Sequence, residues 1–193
     1  MTDFSDIDLI EDLPTLKMVP SFIEVIRHIP WFRTVGEQPS EAICTAADDY
    51  AASLGFPEAY AHFVPDWEEA AYALEANNYN SPGWEAEEQE RASLTDRVLS
   101  VLDDQTFEMV FSHIASETIP VVEEYAEEVR DELLIMDEEF VVAVTGLAAQ
   151  AIHQAALVML TAEDEEHPLS KRIKLFELGR IPIGIQGTSF AIY

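Results

Sequence analysis

Acidic side chains between residues 123 and 132 recur at the spacing of one helical turn. On a helix, residues 123, 127 and 131 form one row of carboxylates, and residues 124, 128 and 132 form a second row beside it. Like charges at this spacing destabilise a helix by about 0.2–0.5 kcal/mol per pair. Two such rows are either an ordinary solvated helix face or a surface that attracts a basic protein. We predict a partner-binding acidic ridge formed by six residues: Glu123, Glu124, Glu127, Glu128, Asp131 and Glu132.

Histidines on predicted helices raise the question of a metal site. His113 and Glu117 are four residues apart on one helix, and His153 lies in an uncharged helix. These three residues are candidate metal ligands, with hydrogen-bonded core histidines as the alternative. A di-metal carboxylate bundle uses Glu-x-x-His on two helices, and the sequence has no such pair. We therefore expect no cofactor.

Motifs for other chemistry are absent from the sequence. It contains no Gly-x-Ser-x-Gly, no Cys-x-x-Cys and no glycine-rich phosphate loop. A single cysteine, Cys44, excludes a disulfide within the chain and suits a reducing cytoplasm, where we expect the protein to work. These observations favour a protein that is not an enzyme.

The charge of the chain restricts its partners. Acids number 38 against 10 lysines and arginines, which gives a net charge of -28, while 48% of the residues are hydrophobic and can form a core. Residues 40–170 hold thirty acids and three bases, whereas residues 171–193 hold one acid and four bases. A field of this sign repels nucleic acids and anionic membranes and attracts basic proteins. The basic residues Lys171, Arg172 and Lys174 are expected to pair with acids of the same chain.

Hydrophobic periodicity predicts the elements that position these residues. We predict an all-α fold, an irregular multi-helix bundle of about seven to eight helices, with a small C-terminal β-hairpin. Residues 1–12 are expected to be a flexible acidic N-terminus, and residues 13–193 a single helical domain with a hairpin at 180–193 packed on it. The predicted helices cover residues 21–28, 40–54, 66–77, 83–102, 103–117, 120–136, 140–160 and 168–178, separated by a loop at 77–83 and by breaks at Pro120 and Asp137. Ser21, Ser40, Asp103 and Asp137 are expected to be N-caps.

The C-terminal hairpin and the uncharged segment 140–160 are the two most distinctive predicted elements. The hairpin is expected to turn at Gln186 and Gly187, which places Ile183 opposite Phe190 and Ile181 opposite Ile192. Residues 140–160 carry no charge over 21 residues, a length that could span a bilayer. Acids flank both sides without a Lys/Arg asymmetry, so we expect a buried core helix and no membrane partner.

Three functional hypotheses follow. The first is a non-catalytic acidic interaction protein that binds a basic protein, in an inhibitor or immunity-type role towards a nuclease. The second is a small helical enzyme or a ligand- or metal-binding protein with a site between helices. The third is that the acidity is only an adaptation to a salty environment, which the scarcity of lysine also fits. The first is favoured because the charge is organised and no catalytic motif is present.

Overall fold

Residues 13–76, 81–164 and 166–193 are described by the computed structural model. The predicted acidic N-terminus and residues 77–80 of the predicted loop lie outside these ranges.

The described ranges contain a short 3-10 helix (Pro14–Met18), seven α-helices and three short strands. The prediction of a mostly helical chain is confirmed. In chain order, the elements are α1 (Val19–Arg27), α2 (Glu41–Ser53), β1 (Tyr60–Phe63), α3 (Trp67–Ala76), α4 (Pro82–Leu99), α5 (Asp104–Glu132), α6 (Phe140–Leu160), α7 (Pro168–Glu177), β2 (Pro182–Gln186) and β3 (Ser189–Ile192).

Helix starts follow the capping residues of the sequence. Ser40, Ser81 and Asp103 precede α2, α4 and α5, and each side chain accepts a hydrogen bond from the backbone N–H three residues later. The predicted cap Ser21 is wrong, because α1 begins at Val19 and the Ser21 hydroxyl donates to the Met18 carbonyl. The side chains of Asp66 before α3 and His167 before α7 also accept from first-turn N–H groups, so side-chain caps fix five of the seven described α-helix starts.

Four helices end in the same hydrogen-bond pattern. In each, a residue with positive φ follows the C-cap, and the next backbone N–H donates to the carbonyl five residues earlier, which is the Schellman motif. The positive-φ residue is Gly55 after α2, Leu134 after α5, Ala162 after α6 and Gly179 after α7. Glycine adopts this conformation without a steric penalty, so α5 and α6 end on unfavourable residue types.

Helix α6 is the centre of the core and packs against α5, α4 and α7. By length and composition it could cross a membrane, and 56% of its most apolar window is buried inside the protein. Its small residues Ala148, Ala151 and Ala155 let neighbouring helices approach closely. The apolar composition is therefore accounted for in large part by contacts within the chain.

A three-stranded sheet closes the structure, with strand order β1-β3-β2. Strands β2 and β3 are antiparallel, but their register differs from the prediction: Ile185, not Ile183, lies opposite Phe190, and the turn falls at Gly187 and Thr188. Strand β1 was not predicted and pairs in parallel with β3. Ile185 and Phe190 bury a second apolar cluster against Tyr50 of α2.

The predicted break at Pro120 is wrong, because α5 runs continuously from Asp104 to Glu132. A proline removes the hydrogen bond to the carbonyl four residues earlier, here that of Ser116. Both Pro120 and Ser116 lie on the exposed face, where water can hydrate that carbonyl. Asp137 was predicted to cap α6, but the helix begins at Phe140 and the Asp137 carboxylate binds Trp67 instead.

Candidate functional site

The acidic ridge is the exposed face of the second half of α5. All six of its carboxylates are exposed, while Val122, Ala126 and Val129 on the opposite face are buried. The ridge includes one ion pair with a base of the helix itself, between Arg130 and Asp131 at 3.0 Å, and both side chains are exposed. Exposed pairs of this kind contribute little, so the ridge keeps its negative field.

At its C-terminal end the ridge runs into exposed apolar residues. Leu134 follows the helix with φ 55° and is 80% exposed, and Met136 is 91% exposed. A bulky residue in the left-handed region costs about 1–2 kcal/mol, and here the side chain gains almost no burial in return. Leucine at position 134 is thus unfavourable in two respects: its backbone is in the left-handed region, and its apolar side chain is exposed to water.

These apolar residues form one wall of an open groove, and α3 forms the other. Tyr72 of α3 is 73% exposed and faces Leu133, Leu134 and Met136 across a groove of about 670 Å³. The acids that line this groove are Asp66, Glu68, Glu75 and Asp137, and its described lining contains no base. A neighbouring depression shares Asp66, Trp67, Leu133 and Ile135 with the groove and also contains Glu132 of the ridge.

A hydrogen bond fixes the shape of this apolar groove. Trp67 Nε1 donates to Asp137 Oδ2 at 2.6 Å, and the Trp67 ring packs edge-on against Phe140 with 4.8 Å between centroids. Together with the backbone N–H of Glu139, the indole holds the pKa of Asp137 below its usual range. The connection between α5 and α6 is thereby attached to the start of α3.

The three candidate metal ligands lie on neighbouring helices without forming a ligand set. The described residues hold no group of three His, Cys, Asp or Glu side chains placed to bind a metal ion. His153 instead packs against Phe111, with 4.4 Å between ring centroids. Burial and the nearby Arg91 lower the pKa of His153, so its neutral form is favoured. His113 is half-buried and Glu117 is exposed.

A second polar site is buried between four helices and was not found by sequence reasoning. Arg172 of α7 and Glu87 of α4 are only 3% and 9% exposed, and their Nη1 and Oε2 atoms are 2.6 Å apart. Tyr50 of α2 donates its hydroxyl to the other oxygen of Glu87. Burial and the Glu87 carboxylate raise the pKa of Tyr50 well above its usual value.

Two glutamines of α6 complete this buried network. Arg172 donates from Nη1 to Gln154 Oε1 at 3.0 Å and from Nη2 to Gln150 Oε1 at 3.3 Å. The sequence signals were weak, because Glu87 stands within an acidic cluster and Arg172 within a short basic run. Charge counting shows neither which of these acids is buried nor which base it meets.

No protein-family model, curated protein or solved structure matches the chain.

Proposed function

We propose that the chain is a non-catalytic interaction protein that binds a basic protein partner through the apolar groove and the adjoining acidic ridge. The observation that carries this proposal is Leu134. It occupies a left-handed position that favours glycine, and it exposes most of its side chain beside Met136 and Tyr72. Two unfavourable features at one residue are explained if the side chain is buried by a partner.

The surroundings of Leu134 specify the chemistry of the partner. Four acids line the groove and six form the ridge beside it. An apolar groove with an acidic rim fits an amphipathic segment whose apolar side chains enter the groove and whose lysines or arginines meet the rim. Covering a basic surface in this way would block any activity that depends on it, which supports an inhibitor or immunity-type role.

A designed peptide can test this proposal with the full chain. The probe is a Leu/Lys peptide whose leucines recur at i, i+3, i+4 and i+7, and the control peptide has the same composition in scrambled order. Titration calorimetry at about 0.15 M and about 0.5 M salt separates apolar docking from charge attraction, because salt screens only the latter. At the higher salt, we expect the amphipathic peptide to bind at least about tenfold more tightly than the scrambled peptide, a difference of about 1.4 kcal/mol in binding free energy.

Charge variants of the protein show whether the ridge takes part. Neutralising three ridge acids with Glu124→Gln, Glu128→Gln and Glu132→Gln should weaken binding and flatten its salt dependence. The matched control neutralises three exposed acids of α2 with Glu41→Gln, Asp48→Asn and Asp49→Asn and should leave the affinity within about twofold. Equal binding of the two peptides, or an equal effect of the ridge and control variants, would show that only diffuse charge is involved.

A further inference from the structure

A cavity of about 450 Å³ lies between α3, α4, α6, α7 and strand β2, apart from the acidic ridge. Its apolar walls include Trp84, Leu147 and Ile183, and its polar lining includes Glu87, Gln150 and Arg172. Small-molecule sites are concave, mostly apolar cavities of about 300–1,000 Å³ with a few polar groups. The cavity has a size in this range, and its lining combines apolar walls with a larger polar share than is usual.

Burying the polar lining of this cavity has a high desolvation free energy. Removing a carboxylate and a guanidinium from water costs several kcal/mol per ion, and apolar residues of the same volume often stabilise a protein equally well. The network also has a surplus of donors. Within the residues that the structure describes, the Nε of Arg172 and the Nε2 of Gln154 have no hydrogen-bond partner. Both carboxylate oxygens of Glu87 are already used, by Tyr50 and Arg172.

We propose that this cavity binds a small uncharged molecule that has an apolar body and a carbonyl acceptor, such as a carboxamide. A carbonyl oxygen can accept a hydrogen bond from the side-chain amide of Gln150, and the guanidinium of Arg172 lies in the same lining. An anion fits less well, because Glu87 already neutralises Arg172 and the chain carries a net charge of -28. A cation fits less well, because the charge of Glu87 is already balanced by Arg172 and the other acid of the described lining, Glu75, is exposed.

Three probes with the same phenyl body separate these ligand classes. Phenylacetamide is neutral and carries a carbonyl, sodium phenylacetate is an anion, and 2-phenylethylamine is a cation without an acceptor. Each is titrated into the full chain labelled with 15N, and shifts of the Trp84 indole N–H and the Gln150 side-chain amide are followed. We expect phenylacetamide to shift both signals with an affinity at least about fivefold higher than that of either charged probe.

Two variants locate the bound probe. Leu147→Trp fills the cavity from its half-buried apolar wall and should abolish the shifts caused by phenylacetamide. Gln150→Leu removes a polar group of similar volume and should weaken phenylacetamide about three- to tenfold, the usual effect of one hydrogen bond. Gln89→Leu, an exposed position on α4, is the matched control and should bind phenylacetamide normally. Circular dichroism verifies that each variant is folded.

Several results would overturn the proposal. They are the absence of shifts at Trp84 and Gln150 with millimolar phenylacetamide, equal affinities for the three probes, and unchanged binding in the folded Leu147→Trp protein. If Leu147→Trp does not fold, the affinities of the Gln150→Leu and Gln89→Leu proteins for phenylacetamide are compared instead. A ratio near one would exclude the hydrogen bond to Gln150 and overturn the proposal. None of these outcomes depends on binding at the groove.

Discussion

Replacing Leu134 with glycine should leave the stability of the fold nearly unchanged while weakening the binding of a basic partner. The left-handed conformation costs a residue with a side chain about 1–2 kcal/mol, and glycine removes this cost. Glycine in turn loses about 0.5–1 kcal/mol more backbone entropy on folding. The side chain is 80% exposed, so only about a fifth of the roughly 1.5–3 kcal/mol for a buried leucine is lost. These contributions nearly cancel and predict a change between a loss of about 0.6 and a gain of about 1.2 kcal/mol in the free energy of unfolding.

The effect of the same substitution on binding should be larger and of opposite sign. If a partner covers the exposed part of Leu134, the apolar contact contributes about 1–2 kcal/mol to binding. Its removal should raise the Kd of the amphipathic Leu/Lys peptide about five- to thirtyfold. Stability is measured by urea unfolding and affinity by calorimetry, on the same preparation.

Ala162 provides the matched control for the backbone. It occupies the same position of the Schellman motif after α6, has φ 54° and is exposed. Ala162→Gly should therefore also be neutral to stabilising, but it should leave peptide binding unchanged. The reasoning would be refuted if Leu134→Gly lowered the free energy of unfolding by more than about 1 kcal/mol, because Leu134 would then be a structural anchor. Unchanged peptide affinity would remove Leu134 from the interface.

Four further single substitutions and one double substitution test the fold by urea unfolding. Asp137→Asn should be destabilising at pH 6, and the difference should shrink as the pH falls below about 4, because the depressed folded-state pKa stabilises only the ionised form. Gly83→Ala should lower the free energy of unfolding by about 1–3 kcal/mol, because the new Cβ would lie 2.9 Å from the backbone of β2. At Gly146 a Cβ meets open space, so Gly146→Ala should raise the free energy of unfolding by about 0.5–1 kcal/mol. Arg172→Met should cost about 3–5 kcal/mol by leaving Glu87 buried without its cation, and adding Glu87→Gln should recover part of this loss.

Local signals in the sequence predicted the helical elements well, and non-local contacts explain the misses. Ser40 and Asp103 were predicted as caps because capping depends on residues three positions apart. Strand β1 was missed because Tyr60–Phe63 pairs with Ser189–Ile192, from the other end of the chain. Pro120 was predicted to begin a new helix after a break, and only its position on the exposed face explains why one helix runs through it.

The candidate site likewise has one part that local sequence signals predict and one part that depends on non-local contacts. The acidic ridge could be predicted because its six residues belong to one helix and helical spacing alone places them on one face. The groove could not, because it joins Tyr72 to Leu134 and Met136 from two separate elements. Periodicity shows which residues share a helix face, but the exposure of an apolar residue depends on what packs beside it. Leu134 stands in an apolar stretch that gives no sign of its left-handed backbone.

Helix α3 gives the two proposed sites a physical connection, since Glu75 lines both the groove and the cavity. Of the ten residues of α3, all of them described by the structure, Trp67 and Ala70 are buried, whereas the second half packs on the core only through the partly buried Ala73 and Leu74 and is held less firmly. A ligand in the cavity orders the second half of α3. A partner that then binds in the groove pays less conformational entropy, because this half of α3 is already ordered. Saturating phenylacetamide should therefore lower the Kd of the Leu/Lys peptide, and linkage requires the peptide to tighten phenylacetamide binding by the same factor, about fivefold or more. The effect should vanish in Leu147→Trp. If both ligands bind and neither changes the affinity of the other, α3 is a rigid wall and the two sites are independent.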